Sequence, residues 1–237
     1  MSKRPTKTIL RVAAALTALA LTTPASAQER RAPEVPEGSQ ALPVGEHGYI
    51  LERIGDRLWW AGNGFYQVMF MEGPAGVALI DAPPSMLGLI EPAIAEATGG
   101  RTVTHLIYSH GHGDHIGAAS AIADARVEII AHEATARQIA HGGPCTDCIE
   151  ADNPRPAPTI IFTERYTLDL GDDQILQLSY PGPNHQDGNI FIYAPKQRAL
   201  MLVDVIYPGW APFDLLAIST DILGWLSAST RPSRTTS

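Results

Sequence analysis

Cysteine is nearly absent: the 237 residues hold two, Cys145 and Cys148. A miniature fold stapled by disulfides is therefore excluded, and a buried core must supply the stability. Basic clusters are missing as well. The chain carries 17 Lys+Arg against 25 Asp+Glu, a formal charge of -8, and its first 27 residues contain Lys3, Arg4, Lys7 and Arg11 but no acid. Setting those four bases aside leaves 13 against 25, a balance of -12. Such an acidic surface repels phosphate backbones, which need clustered Lys and Arg to displace their counterions, so no nucleic-acid partner is expected. No apolar run reaches the roughly 20 residues that a bilayer-spanning helix needs, so no stable membrane span is expected either. Histidine, finally, is missing from the whole stretch after His185.

The residues that are present suit one globular domain, with 45% hydrophobic and 18% charged. Residues 1–27 have the layout of a secretory signal peptide: a basic start, an uncharged apolar run from Val12 to Leu21, and Ala25-Ser26-Ala27 as a small-residue cleavage site. A periplasmic or secreted location is the corresponding expectation. Residues 28–43, with Pro and Glu and few apolar side chains, read as a flexible leader. The domain is expected over 44–225. The tail 226–237 holds seven Ser or Thr, two Arg and no acid, and reads either as a frayed terminus or as a truncated or frameshifted one.

Within the domain, short β-prone runs come first: Tyr49–Ile54, Arg57–Ala61, Phe65–Met71 and Val77–Asp81, separated by Gly-containing turns. A helix is expected at Leu87–Thr98, ending at Gly99-Gly100. Alternation follows, with a strand at Thr102–Ser109, a helix at Ile116–Asp124, a strand at Val127–Ala131 and a helix at Glu133–His141. Beyond a Pro-rich loop, Thr159–Phe162, Tyr166–Leu170, Ile175–Tyr180, Asn189–Ala194 and Ala199–Val203 are strand candidates. This order predicts two sheets packed face to face with helices outside.

The chemistry concentrates in Ser109-His-Gly-His-Gly-Asp-His115. His110, His112, Asp114 and His115 fall within six positions, where a hydrophobic run gives way to glycines. Imidazole and carboxylate donors suit zinc or iron, and a catalytic metal needs about three protein ligands and an open position. Gly111 and Gly113 are expected to let the backbone turn so that these side chains converge. The isolated histidines His47, His105, His132 and His141 read as ordinary hydrogen-bonded residues. Cys145 and Cys148, in a Gly- and Pro-rich loop, read as a local disulfide before a redox pair or a metal clip. Trp59, Trp60, Phe65 and Tyr66 read as core before groove rim.

The motif resembles the His-x-His-x-Asp-His signature of the metallo-β-lactamase superfamily. The likeness extends through Leu79-Ile-Asp81, Pro181-Gly-Pro-Asn-His185 and Leu200-Met-Leu-Val-Asp204, roughly Tyr49 to Phe213. It implies an α/β (α+β) fold, an αβ/βα four-layer sandwich of two mixed β-sheets, here expected to lack its C-terminal elements. It also implies that His110, His112 and His185 hold a first metal, that Asp114 and His115 hold a second, and that Asp204 bridges the two. Asp81 is either a support of the motif loop or a plain turn residue. Two-metal members have a further histidine downstream, which this chain lacks, so the second site is expected to be incomplete.

The function implied is an exported zinc-dependent hydrolase, with one or two Zn²⁺, in which a metal-bound hydroxide attacks an ester-like or amide-like bond. A β-lactam, a lactone or a thioester is the candidate small-molecule substrate. Asp114 or Asp204 would orient the nucleophile or return a proton to the leaving group. The alternatives are an iron-dependent oxygenase of the same fold, or a truncated, non-catalytic metal-binding remnant.

Overall fold

The computed structural model describes residues 43–141, 155–207 and 219–228. The expected signal peptide, nearly all of the leader and the Cys145/Cys148 loop lie outside these residues.

The first sheet runs in the order β1 (Ile50–Gly55), β2 (Leu58–Gly62), β3 (Gln67–Gly73), β4 (Gly76–Ile80), β5 (Val103–Ile107), β6 (Glu128–His132), β7 (Ile160–Phe162). It is mixed. β1 to β4 are antiparallel, as tight connections such as Gly73↔Gly76 require, while β4 to β7 are parallel because longer segments carry the chain back between them. Two of those segments contain helices α1 (Ile90–Thr98) and α4 (Glu133–Ala140), with α2 (Gly113–Ile116) and α3 (Ala119–Ile122) between β5 and β6. The second sheet is β11 (Ala199–Leu202), β10 (Phe191–Ala194), β9 (Ile175–Ser179), β8 (Arg165–Asp169). It is antiparallel throughout, a departure from two mixed sheets. Its strands are consecutive, and Gly171-to-Gln174 and Pro195-to-Arg198 turns close two of the connections.

Alternation along the strands builds the layers. On β3 and β4, Met69, Met71, Ala78 and Ile80 face a core shared with Leu168, Leu176, Leu178 and Ile192 of the second sheet. Val68, Phe70, Val77 and Leu79 face the other way, onto Ile90, Ala93 and Ile94 of α1 and Ile116 of α2. Helix α5 (Ile222–Ala228) covers the far side of the second sheet, where Trp225 and Ala228 are buried with Phe191 and Val205. The result is the αβ/βα sandwich. Helix α5 also corrects the boundary expected at residue 226: the burial of Ala228 carries order through Leu226, Ser227 and Ala228. Residues 229–237 lie outside the described residues.

The helix expected at Ile116–Asp124 is instead the pair α2 and α3. The Ala118 N–H leaves the helical ladder and donates to Ala82 O at 3.0 Å, and Ala82 N donates to His115 O at 2.8 Å. The segment is stitched to the end of β4, a tertiary demand that overrides its helical propensity.

Candidate metal centre

The ends of β4, β5 and β11 and the loop before β10 meet at one edge of the sandwich. A bond from Ile190 N to Ser109 O, 3.0 Å long, ties the loop to the end of β5. Here Nε2 of His110 lies 3.1 Å from Nδ1 of His112, and Nε2 of His185 lies 3.1 Å from that same Nδ1. Asp204 Oδ2 is 3.2 Å from His185 Nε2 and 3.5 Å from His110 Nε2. One donor atom from each of these four residues falls within 4.8 Å of the others. Nitrogens bound tetrahedrally to zinc at about 2.0–2.1 Å lie roughly 3.3 Å apart. The observed spacing fits such an ion closely.

Asp114 and His115 stand on the other side of Asp204. His115 Nε2 is 3.0 Å from Asp204 Oδ2 and 3.6 Å from Asp114 Oδ2. The structure thus brings all six expected residues together: three histidines in one half-site, Asp114 and His115 in the other, Asp204 between them. On its other ring nitrogen His115 meets a further carboxylate, with Nδ1 3.6 Å from Asp81 Oδ2.

Asp81 supports the loop. It is fully buried, its Oδ1 accepts the Ser109 N–H at 2.8 Å, and its Oδ2 accepts the Ser109 hydroxyl at 2.6 Å. Ser109 Oγ lies 2.9 Å from His110 Nδ1. A hydroxyl has one proton, and the acceptor-only carboxylate takes it; the Nδ1–H of His110 then donates to Ser109 Oγ, leaving the Nε2 lone pair for the cluster. Ser109 went unnoticed in the sequence, although its place immediately before the first motif histidine was a signal.

The strain in the site falls on the carboxylates rather than on the motif glycines. Asp81 (φ 64°) and Asp204 (φ 57°) occupy the left-handed region at their strand ends, which Asp tolerates better than most residues. Gly111 and Gly113 are not among the positive-φ residues. Gly111 instead sits close to two glutamines: a Cβ there would lie 2.3 Å from Gln138 Oε1 and displace the end of that side chain, and its N–H donates to Gln186 Oε1 at 2.6 Å. Gln186 thereby locks the His185 loop to the motif loop, while the Arg155 guanidinium donates to Gly111 O.

Burial, reinforced by the neighbouring His115 charge, holds His110 well below the ordinary histidine range, and burial with His185 alongside pushes His112 down to about 4. Both are therefore neutral donors near neutral pH. Burial opposes charge on His115 too, but hydrogen bonds to Asp204 and Asp81 outweigh it and raise it well above the ordinary range. Asp204 is likewise opposed by burial and held well below the carboxylate range by His115 and His185. Nε2 of His115 and Oδ2 of Asp204, 3.0 Å apart, thus form an ion pair.

The other histidines have ordinary partners: Glu128 for His105 at 3.2 Å, Thr163 O for His132 at 2.7 Å, Arg137 O for His141 at 2.7 Å, and the Tyr49 ring for His47. Trp59 and Tyr66 pack partly buried on the first core, whereas Phe65 is 88% exposed. Tyr66 also reaches the centre, where its hydroxyl donates to Asp114 Oδ2 at 2.8 Å.

A family model for the metallo-beta-lactamase superfamily matches residues 61–233. Among curated proteins, the chain is similar to the 2,4-dinitroanisole O-demethylase subunit alpha of Nocardioides sp. (strain JS1661), with 30% identity over 166 residues covering 69% of this chain and 48% of that one. It thus spans about half the length of this relative. Solved structures similar to it include a metallo-beta-lactamase from Legionella gormanii, at 16% identity and TM-score 0.55 over 76% of this chain and 73% of that chain. Another, from Pontibacter korlensis, aligns at 21% identity and TM-score 0.52 over 64% and 69%. At those identities the likeness is one of fold, and it agrees with the sandwich described above. Family model, layered sheets and converging imidazoles lead to one assignment: the chain belongs to the metallo-beta-lactamase superfamily.

Proposed function

We propose that the protein is an exported, zinc-dependent hydrolase of small molecules that cleaves an ester-like or amide-like bond, with β-lactams, lactones and thioesters as the candidate substrates. The observation that carries this reading is the convergence of His110 Nε2, His112 Nδ1 and His185 Nε2 with Asp204 Oδ2. Zinc held there supplies Lewis-acid chemistry and activates water near neutral pH. The neutral His110 and His112 keep their lone pairs available for it, and Asp81 and Ser109 fix the direction in which His110 offers its own. Asp204, shared by both half-sites, anchors charge at their boundary. Asp114, beside His115, is placed to orient water and to pass a proton to a leaving group. Export is supported by the basic, apolar and small-residue layout of residues 1–27. The test is metal analysis of the purified protein together with a panel of ester, lactone, thioester and lactam substrates. Zinc in the protein and turnover that a chelator abolishes and added zinc restores are the expected results. A folded protein that neither binds zinc nor responds to it overturns the reading.

A second reading is favoured by the relative whose name gives 2,4-dinitroanisole as what it demethylates. Three histidines and a carboxylate can also hold ferrous iron, and an electron-poor aryl methyl ether then joins the substrate panel. The two chemistries leave different one-carbon products. Hydrolysis of the ether consumes water and releases methanol without oxygen uptake; oxidative demethylation by an iron enzyme consumes oxygen and two electrons from an added reductant and releases formaldehyde and water.

A further inference from the structure

The hairpin between β2 and β3 reaches the second half-site. Asn63 organises it: its Oδ1 accepts the N–H groups of Phe65 at 3.0 Å and Tyr66 at 2.8 Å, and its Nδ2 donates to Ser85 O at 3.1 Å. Tyr66 is thereby set at the start of β3, with its hydroxyl on Asp114 Oδ2 at 2.8 Å and its ring edge-on to His115, centroids 5.5 Å apart. A single side chain touches both residues that belong to this half-site alone. Asp114 Oδ1 is buried and has no hydrogen-bond partner among the described residues. Tyr66 therefore supplies the one hydrogen bond that this carboxylate receives among them.

We propose that Tyr66 is a positioning residue for a second metal: its phenol holds the Asp114 carboxylate in place beside His115 and Asp204. The inference rests on the metal reading above. A half-site with two ligands of its own gains more from preorganisation than a complete one, because each ligand left loose must be ordered when the ion binds. The chemistry of the donor also fits. A phenol is neutral, so it can orient the carboxylate without the repulsion that an Arg or Lys in that place would exert on a dication. The oxygen that Tyr66 holds, Oδ2, is also the one 3.6 Å from His115 Nε2, and a carboxylate oxygen that accepts one hydrogen bond keeps a second lone pair for an ion.

Tyr66→Phe tests this, since it keeps the ring against His115 and removes the hydroxyl alone. Metal-free wild type and variant are titrated with Co²⁺, with affinities read by chelator competition and each equivalent followed by its visible spectrum. The expected result is a first equivalent that binds as in wild type, which also shows that the fold is intact, and a second weakened about 10- to 100-fold. In an Asp114→Asn background, Tyr66→Phe is expected to add nothing further, because its effect runs through Asp114. Equal second-equivalent affinity in the two proteins, a wild type that takes up a single equivalent, or additive effects in the double variant each overturn the role of Tyr66 while leaving the metal reading standing. A wild type that takes up no cobalt and no zinc overturns both.

Discussion

His110, His112 and His185 meet through nitrogens 3.1 Å apart, supported by Ser109, Asp81 and Gln186, whereas Asp114 and His115 face each other at 3.6 Å across a space that Asp204 must share. In the first half-site His110 and His112 are neutral donors near neutral pH, and the three imidazole nitrogens already converge. In the second, His115 and Asp204 lie 3.0 Å apart, and Asp114 and His115 are its own candidate ligands among the described residues. The contrast is one of spacing on a single fold edge: one set of nitrogens already lies near the separation that a zinc ion imposes, and the Asp114–His115 pair is wider. Each half has a partner behind a ligand, Ser109 behind His110 in the first and Asp81 and Tyr66 behind His115 and Asp114 in the second, so what separates them is how closely the donor atoms converge.

Breaking the first half should cost most. His112→Ala removes the nitrogen that lies 3.1 Å from both other imidazoles. Metal uptake at the first site and turnover are expected to fall well over 100-fold, beyond what loss of an outer partner typically costs; metal analysis and kinetics check this. Comparable first-site affinity in the variant would erase the distinction between the halves.

Ser109→Ala tests the support behind His110. It leaves Asp81 Oδ2 and His110 Nδ1 without their buried partner, so a loss of about 10- to 100-fold in metal affinity and about 1–3 kcal/mol in stability is expected from titration and denaturant unfolding. Asp114→Asn sharpens the comparison from the other side. Turnover should fall and the second equivalent should weaken, while the first binds within about threefold of wild type, because Asp114 touches none of the three clustered histidines.

The smallest effect concerns pH and lies away from the centre. His132 Nδ1 accepts the Ala134 N–H at the start of α4, and burial lowers its pKa from the usual 6.5. A folded-state pKa below the unfolded one means that the unfolded chain binds more protons, so this contribution is present above about pH 6.5 and is lost as the pH falls. His132→Asn keeps a capping acceptor and removes the titration. Its stability is expected to decline less than that of wild type between pH 7.5 and 5, measured by denaturant unfolding.

The layers and the clustering of the candidate ligands are largely legible in the sequence because both rest on local patterns. Alternation on β3 and β4 separates Phe70 and Leu79 from Met71 and Ile80 without any knowledge of what each face meets. The motif, likewise, puts four ligands within six residues. What stayed hidden depends on contacts between distant segments. Tyr66 and Asp114 are 48 residues apart, and an aromatic residue just before a strand carries no sign of the carboxylate it will reach. The division of Ile116–Asp124 into α2 and α3 follows from the Ala118 bond to Ala82, again a tertiary demand. Gly111 was recognisable as special, but its reason is the nearby Gln138 and Gln186 side chains rather than an unusual backbone angle.

Anomalous scattering at the zinc edge, from crystals of the protein loaded with one equivalent, bears most directly on the difference between the two halves. A single peak about 2.0–2.1 Å from His110 Nε2, His112 Nδ1 and His185 Nε2 is the predicted result. A peak on Asp114 and His115 with those three nitrogens unliganded, or no peak at this edge of the sandwich, would contradict it.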